Sequence, residues 1–257
     1  MKSSTQALLL FFCATLFSTT CFGAELTGTV RAKDGRTLAG ISVYSFDDRG
    51  TIAPRQGRRF YEETDARGRF RLANHGRAIY FQHRDFQPLT KIIDYSASRV
   101  DVVLEAEHDV WDVPNCASSA EYQKNKDDYV EMQYPSIFLP RPREVHFKRV
   151  KDEDYVLYIF VYGPSERRNA LQGWFGPYAA DESVSAKSLV KSTTFNERWA
   201  KFGDLKALDI YGQTTDGKHW RYLSFGTSAI FYEDASQEAA SIFDDMLGKS
   251  CHETRKL

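Results

Sequence analysis

The stretches LTGTVRAKDGRTLAGISVYSF at 26–46 and TDARGRFRL at 64–72 indicate the fold of the first part of this chain. Apolar and polar residues alternate in both, as with Phe70 and Leu72 among arginines, and this period of two is typical of half-buried antiparallel strands. Gly68 suits the tight turn before Phe70, because glycine accepts a positive φ. Further strands are predicted at 78–81, 89–93 and 100–104. About seven short strands indicate an all-β sandwich.

The glycine, turn and strand motifs of this region follow one another in the order found in a known type of β-sandwich module. They are Gly28-x-Val30, Asp34-Gly35, Leu38-Ala39-Gly40-Ile41-x-Val43 and Thr64-Asp65-x-x-Gly68-x-Phe70-x-Leu72. Over residues 25–106 the chain therefore resembles the carboxypeptidase regulatory-like module of the transthyretin-like (prealbumin-like) superfamily. The resemblance implies a sandwich of antiparallel strands that accompanies many unrelated domains and has no activity of its own. Hormone binding and hydroxyisourate hydrolysis belong to other branches, and no His/Arg/Ser constellation is found here to carry them over.

Residues 112–252 predict a second domain of the α+β class, with an antiparallel sheet and helices packed on a face. The strongest strand is predicted at 154–162, which is apolar on both faces and is expected to lie inside the sheet. Three prolines, Pro135, Pro140 and Pro142, are expected to break any regular element between the first two strands. The other strands are predicted at 129–134, 144–148, 205–215, 219–225 and 229–232.

Three helices are predicted in this second domain. One covers 185–191, and another covers 194–202, where the first residues have capping-box spacing and Gly203 is suited to end a helix. The last begins near residue 234, ends at Gly248 and has one apolar stripe. The stripe consists of Ala239, Ile242, Phe243, Met246 and Leu247. This closing helix, after a run of strands, faintly resembles the PsbP-type photosystem-accessory and Mog1-like half-barrel fold.

Residues 1–23 predict a secretory signal peptide. Lys2 supplies a short positive region, and residues 7–17 form an apolar core of the length that signal peptides use. This core is shorter than the roughly 20 residues that a membrane-spanning helix needs. Lipidation at Cys21 stays a minor alternative, because the leucine and small residue of a lipidation signal are missing around it. The mature protein is therefore predicted to be secreted or periplasmic, without stable insertion in a membrane.

Cleavage of the signal leaves two cysteines, Cys116 and Cys251. Two cysteines in an exported chain, without the spacing of a metal site, most simply form one disulfide. Closing so long a loop stabilises a fold by about 4–5 kcal/mol as an upper figure. The alternative is a pair of free thiols, one of them catalytic, with His252 as the only base beside either cysteine.

Charge and motif content exclude several functions. The 34 Lys and Arg nearly balance the 35 Asp and Glu. The sequence has no basic block of the kind that binding to nucleic acid needs, so nucleic acid is not expected as a partner. The 6 histidines are scattered, without the helical spacing of metal ligands. No nucleophile elbow and no phosphate-binding glycine loop occurs. The sequence therefore predicts no catalytic residue, no metal site and no cofactor.

The candidate binding surface is a long connection at 163–181, after the strongest strand. It carries two arginines and three aromatic residues: Arg167, Arg168, Trp174, Phe175 and Tyr178. Aromatic side chains on a loop stack on sugars or anchor a partner chain. The alternative is that Trp174 and Phe175 plug the end of the sheet, because large aromatic residues are mostly buried.

Three functions stand as hypotheses at this point. The first is an exported, non-enzymatic protein in which the sandwich presents the second domain to a protein or envelope partner. The second is a carbohydrate-binding protein that uses Trp174, Phe175 and Tyr178. The third is a hydrolase whose site is assembled from residues distant in the sequence. The chain indicates neither the identity of a partner nor the oligomeric state.

Overall fold

The computed structural model of the protein describes residues 25–46, 61–132, 136–149, 156–162, 171–176, 189–225 and 229–253. The first strands are β1 (Leu26–Ala32), β2 (Ser42–Phe46), β3 (Glu62–Glu63), β4 (Arg69–Leu72), β5 (Ala78–Gln82), β6 (Leu89–Ile92) and β7 (Val102–Leu104). They form a three-stranded sheet in the order β4-β1-β7 and a four-stranded sheet in the order β3-β2-β5-β6.

The two sheets face each other and form a β-sandwich, as the sequence predicts. Alternate residues point into its core, which includes Val30 and Phe70 from the three-stranded sheet and Val43 and Phe81 from the four-stranded sheet. Gly68 has a φ of 69°, the positive value that its turn was expected to need. The period of two therefore identifies both the strands and the side that each residue buries.

One pairing in the sandwich departs from the expected antiparallel pattern. β1 and β7 run parallel, with Val30 opposite Val102, because the chain crosses from the four-stranded sheet before it enters β7 beside β1. Gly28 is required at this crossing, since a Cβ there would lie 1.8 Å from the carbonyl oxygen of Val100. No side chain fits so close an approach of two backbones.

The second region of the chain is built on one large sheet. Its strands are β8 (Val110–Asp112), β11 (Glu144–Arg149), β12 (Val156–Tyr162), β13 (Leu171–Gly176), β14 (Ser192–Phe202), β15 (Leu205–Thr214), β16 (His219–Ser224) and β17 (Ala229–Ala235). They follow the order β11-β12-β13-β17-β16-β15-β14-β8. Neighbours are antiparallel, except β8, which runs parallel to β14. The strong strand predicted at 154–162 is β12, inside the sheet as expected.

The prediction of a helix at 194–202 is wrong. These residues form most of β14, which pairs with β15 from end to end. The stretch alternates between two partly buried faces, with Glu197 and Trp199 on one and Arg198 on the other, so a strand partner outweighs the local capping-box signal. Gly203, with a φ of 63°, makes the turn between β14 and β15 and does not end a helix.

The closing helix of the chain is confirmed. α1 (Ala120–Lys124) is short, whereas α2 (Gln237–Gly248) begins after its cap Ser236, whose Oγ accepts the N–H of Ala239 at 3.2 Å. The predicted stripe faces the large sheet, with Phe243 and Leu247 buried. The helix predicted at 185–191 falls almost entirely outside the described residues. This region is mainly β, and its predicted α+β class is not confirmed.

A third, small sheet lies beside α2. It consists of β9 (Tyr129–Met132), β10 (Ile137–Pro140) and β18 (Cys251–His252), in the order β18-β10-β9. The expectation that prolines exclude a regular element here is wrong. Pro140 is the last residue of β10, and a missing N–H costs little at the end of a strand.

The sheets stack in layers. The outer face of the four-stranded sheet, with Phe46 and Tyr80, packs on one face of the eight-stranded sheet through Trp220 and Tyr222. α2 and the small sheet cover the opposite face. The run AIYF at 78–81 is buried at every residue, as a strand between two layers requires.

A bulge in β17 distributes its last residues between these two faces. The pairing with β16 shifts between His219 and Arg221, and Asp234 takes a φ of 50°. Glu233, two residues after Phe231, follows the ordinary alternation and lies on the sandwich side, where it accepts a hydrogen bond from the hydroxyl of Tyr222. One extra residue places Ala235 in the core under α2, in line with the start of that helix.

Candidate functional site

The structure describes two of the five residues that the sequence assigns to binding. Trp174 and Phe175 lie on β13, paired with β17, so a strand inside the large sheet interrupts the connection expected at 163–181. The other three positions lie outside the described residues: Arg167, Arg168 and Tyr178. Binding by these five residues therefore stays a prediction.

A different group of charged residues meets on the face of the large sheet that α2 covers. Arg198 of β14 stands opposite Asp209 of β15, and Arg221 of β16 stands opposite Tyr211 of β15. Residues two apart on a strand share a face, so Asp209 and Tyr211 point to the same side. Trp111 of β8 reaches this side next to Arg198. We call Arg198, Asp209 and Arg221 the arginine–aspartate cluster.

Asp209 is the centre of the arginine–aspartate cluster and is completely buried. Arg221 donates from Nε to Oδ1 at 2.8 Å and from Nη2 to Oδ2 at 2.7 Å. Arg198 donates from Nε to Oδ2 at 2.9 Å. A carboxylate taken out of water loses its hydration, and these charge-assisted bonds replace it.

The helix α2 extends this cluster through Asp244. Arg221 donates from Nη1 to Asp244 Oδ1 at 2.8 Å, and the hydroxyl of Tyr232 lies 3.5 Å from the same oxygen. Burial acts to lower the pKa of Arg221, but the carboxylates of Asp209 and Asp244 outweigh burial and raise it. Burial, assisted by Asp244, raises the pKa of Tyr232. Arg221 therefore stays charged and Tyr232 stays neutral at physiological pH.

Two aromatic rings flank both guanidinium groups. The Cζ of Arg198 lies 5.5 Å from the ring centre of Trp111 and 5.6 Å from that of Tyr211. The corresponding distances for Arg221 are 5.3 Å and 5.2 Å, within the range of cation–π attraction. The side chain of Arg221 is 8% exposed and that of Arg198 is 24% exposed. Arg198 is thus the arginine of the cluster that solvent reaches.

Glu197, the neighbour of Arg198, points to the opposite face and contacts the sandwich. Thr90 donates its backbone N–H to Oε1 and its hydroxyl to Oε2, both at 2.5 Å. Burial raises the pKa of Glu197, although the bonds from Thr90 and the charge of Lys91 act to lower it. Glu197 also occupies the outer N–H of an edge strand, β6, which is one way proteins protect sheet edges.

Further polar contacts join the sandwich to the large sheet beside Glu197. Trp199 donates from Nε1 to the carbonyl oxygen of Phe86 at 2.7 Å. Gln87 donates to the carbonyl oxygen of Glu197 at 2.9 Å, and Lys206 pairs with Glu107. We call these contacts, together with the apolar core around Trp220, the seam.

The predicted disulfide is confirmed. Cys116 and Cys251 are bonded across a sequence separation of 135 residues, and both are buried. Two backbone bonds accompany it, from Cys116 N to the carbonyl oxygen of His252 at 2.9 Å and from His252 N to that of Pro114 at 3.0 Å. The end of α2 is thereby tied to the start of the second region. Such cross-links are typical of proteins that fold outside the reducing cytoplasm.

Among the described residues, no group of three or more His, Cys, Asp or Glu side chains is placed to hold a metal ion. No helix in this described part of the chain is long and apolar enough to cross a membrane. The carboxylates of Asp209 and Asp244 are both bound by arginine. This arrangement suits recognition of charge better than proton transfer.

Two members of the cluster are not foreseen from the sequence. Arg198 falls in the stretch assigned to a helix, which hides its strand partner. Asp209 does leave a signal, since one carboxylate inside the apolar strand LKALDIYGQT requires a buried cation nearby. Trp220, on the opposite face of the same strand as Arg221, is a core residue and is 1% exposed.

No protein-family model and no curated protein matches this chain. Among solved structures, it is similar to a streptococcal ancillary pilin, with 12% identity and a TM-score of 0.24. The similarity covers 84% of this chain and 59% of the pilin, so the chain spans less than two thirds of that protein. A TM-score this low does not establish a common fold, and no property of the pilin is transferred.

Proposed function

We propose that this is an exported, non-enzymatic binding protein whose β-sandwich holds the eight-stranded sheet in one orientation for a protein or cell-envelope partner. The observation that carries the proposal is the seam. Contacts between domains of one chain are commonly polar and permit relative motion. The seam instead combines a continuous apolar core with partly buried hydrogen bonds, which favours a rigid presentation of the large sheet.

Export is the second part of the proposal. The signal sequence predicted at 1–23 and the disulfide between Cys116 and Cys251 both favour a secreted or periplasmic location. A cross-linked second region also suits a protein that must persist without chaperones, since a disulfide limits the freedom of the unfolded chain.

The sandwich is the supporting part of this arrangement. Its two facing sheets and its turn at Gly68 fit the resemblance to the carboxypeptidase regulatory-like module, which implies a domain that accompanies others and has no activity of its own. In this protein the module would orient the large sheet through the seam, and the partner would bind elsewhere.

The proposed partner surface is the one predicted around 163–181. Its residues are Arg167, Arg168, Trp174, Phe175 and Tyr178. Aromatic residues and arginines are enriched among those that contribute most to binding a partner protein. The strand β13 in the middle of this range would give such a surface a rigid base.

Affinity capture from the cell envelope of the source organism tests the proposal. The mature protein is expected to recover a defined partner, and Arg167→Ala with Arg168→Ala is expected to reduce the recovery at least tenfold. Arg67→Ala is the matched control, because Arg67 is an exposed arginine of the sandwich. Recovery of no defined partner, or equal recovery by all three proteins, would contradict the proposal.

A further inference from the structure

Arg198 has more hydrogen-bonding capacity than the fold uses. Its Nε is engaged by Asp209, and the N–H groups on its two Nη atoms make no hydrogen bond with any described residue. Arg221, by contrast, uses all three of its nitrogen atoms on Asp209 and Asp244. The guanidinium of Arg198 is therefore held by its Nε side and presents its other edge outward.

The buried carboxylate does not need Arg198 for its own satisfaction. Both oxygens of Asp209 already receive a bond from Arg221, in the paired geometry that arginine and carboxylate prefer. A second arginine gives the buried part of the cluster a local excess of positive charge. The carboxylate of Asp244 balances this excess charge, but it is paired with Arg221 and its side chain is 48% exposed. Arg198 is left as the cation nearest to solvent without a carboxylate of its own.

The surroundings of Arg198 suit an apolar or aromatic group. The rings of Trp111 and Tyr211 are each half-buried and lie on the same face of the sheet as Arg198. The cross-strand neighbours Ala200 and Ala207 are small, which leaves room above the sheet for the ring of Trp111. A ligand that brings a carboxylate to Arg198 would find an aromatic wall beside it.

We propose that Arg198, Trp111 and Tyr211 form a binding site for a carboxylate attached to an aromatic or apolar group. The outward edge of Arg198 donates two parallel N–H bonds to the carboxylate, and the rings contact the attached group. This inference rests on the proposed function as a binding protein and gives it a ligand class. A monoanion fits better than a dianionic phosphate, because Asp244 lies close to the same guanidinium pair.

Benzoate is the probe that tests this site, with its binding followed by NMR through the indole N–H signal of Trp111. A Trp111→Phe variant assigns that signal. Saturable shifts are expected with benzoate and none with benzamide, which has the same shape without the charge. Inorganic phosphate is expected to bind at least tenfold more weakly than benzoate. A linear response to benzoate, or stronger binding of phosphate, overturns the proposal.

Two variants of Arg198 separate binding from folding. Arg198→Gln removes the charge, and Arg198→Lys keeps the charge but loses the planar fork. Each is expected to weaken benzoate binding at least tenfold while the far-UV spectrum stays unchanged. Arg67→Gln, in the sandwich, is the matched control and is expected to bind as the parent does. Parent-like binding by both Arg198 variants overturns the proposal, and if Arg198→Gln fails to fold, the result for Arg198→Lys decides alone.

Binding of a short peptide distinguishes two sources of the carboxylate, a peptide C-terminus and a small organic acid. The tripeptide Gly-Gly-Phe with a free C-terminus is compared with its C-terminal amide. Tighter binding of the free acid than of benzoate assigns the site to a peptide terminus, and the reverse order assigns it to a small organic acid. Both outcomes support a carboxylate site. The test is independent of envelope capture, since benzoate binding can fail while Arg167 and Arg168 still recover a partner.

Discussion

Asp209 is a fully buried carboxylate and Glu197 is a half-buried one on the neighbouring strand of the same sheet, and they are accommodated in opposite ways. Asp209, under α2, is held by two arginines. Glu197, in the seam, is held by the N–H and the hydroxyl of Thr90, and burial raises its pKa. The carboxylate on one face of the large sheet is therefore compensated by opposite charge, and the carboxylate on the other face is compensated by neutral donors.

This contrast has consequences for stability. A buried ion pair contributes little net stability, because desolvation offsets the attraction, but the loss of one partner leaves an uncompensated charge. A carboxylate held by neutral donors costs less to remove, because its partners keep no charge. The two sites should therefore differ in the size of the effect of substitution and in its dependence on pH.

Asp209→Ala is expected to have the largest effect. It leaves Arg221 buried without its main partner, and the expected loss in the free energy of unfolding is about 3–5 kcal/mol. Urea unfolding measures this loss. Asp204→Ala is the matched control, since Asp204 is exposed in the turn after β14, and it should change stability by less than about 0.5 kcal/mol. Equal effects of the two substitutions would show that the cluster does not stabilise the fold.

Glu197→Ala is expected to have a smaller effect, a loss of about 1–3 kcal/mol. The substitution leaves the N–H and the hydroxyl of Thr90 without an acceptor in the seam. The double variant, Glu197→Ala with Thr90→Val, should lose less unfolding free energy than the two single substitutions lose in sum, since the unpaired hydroxyl is removed as well. A double-mutant cycle by urea unfolding measures this coupling, and strict additivity would contradict the described bond.

Glu197→Gln is expected to change the pH dependence of stability. Because the pKa of Glu197 is raised above its ordinary value of 4.5, the folded state binds its proton more tightly than the unfolded state does. This contribution to stability is fully present below pH 4.5 and is lost as pH rises through the raised pKa. The variant should therefore show a smaller decline in unfolding free energy over that window. A pH profile identical to that of the parent would disprove the assignment.

Asp234→Gly is expected to have the smallest effect and the opposite sign. Asp234 has a φ of 50°, a conformation that costs a residue with a side chain about 1–2 kcal/mol. Glycine avoids this strain but lowers stability by about 0.4–1 kcal/mol, because it makes the unfolded chain more flexible. A net gain of up to about 1.6 kcal/mol should appear as a higher melting temperature. Asp234→Val, with a branched side chain, should lower it. A lower melting temperature for the glycine variant would mean that the bulge between the two faces is not strained.

Part of the site was within reach of the sequence. The apolar strand around Asp209 contains a carboxylate that must find a partner, and Arg221 lies in an equally apolar strand. Arg198 was out of reach, because a stretch of nine residues with both capping-box spacing and alternation fits two structures locally. Glu197 and Thr90 lie 107 residues apart, and no local pattern pairs residues across such a distance.

The sandwich, the closing helix and the disulfide could be predicted from the amino-acid sequence, because each depends on a local period or on the single partner available to a cysteine. Alternation of apolar and polar residues at 26–46 and 64–72 indicates which residues are buried. After the predicted cleavage of the signal peptide, Cys116 and Cys251 are the two remaining cysteines and can pair only with each other. The strand β14, with its neighbouring residues Glu197 and Arg198 on opposite faces, is evident only in the folded chain. Residues 194–202 fit a helix and a strand locally, and hydrogen bonds from β15 on one side and from β8, far away in the sequence, on the other select the strand.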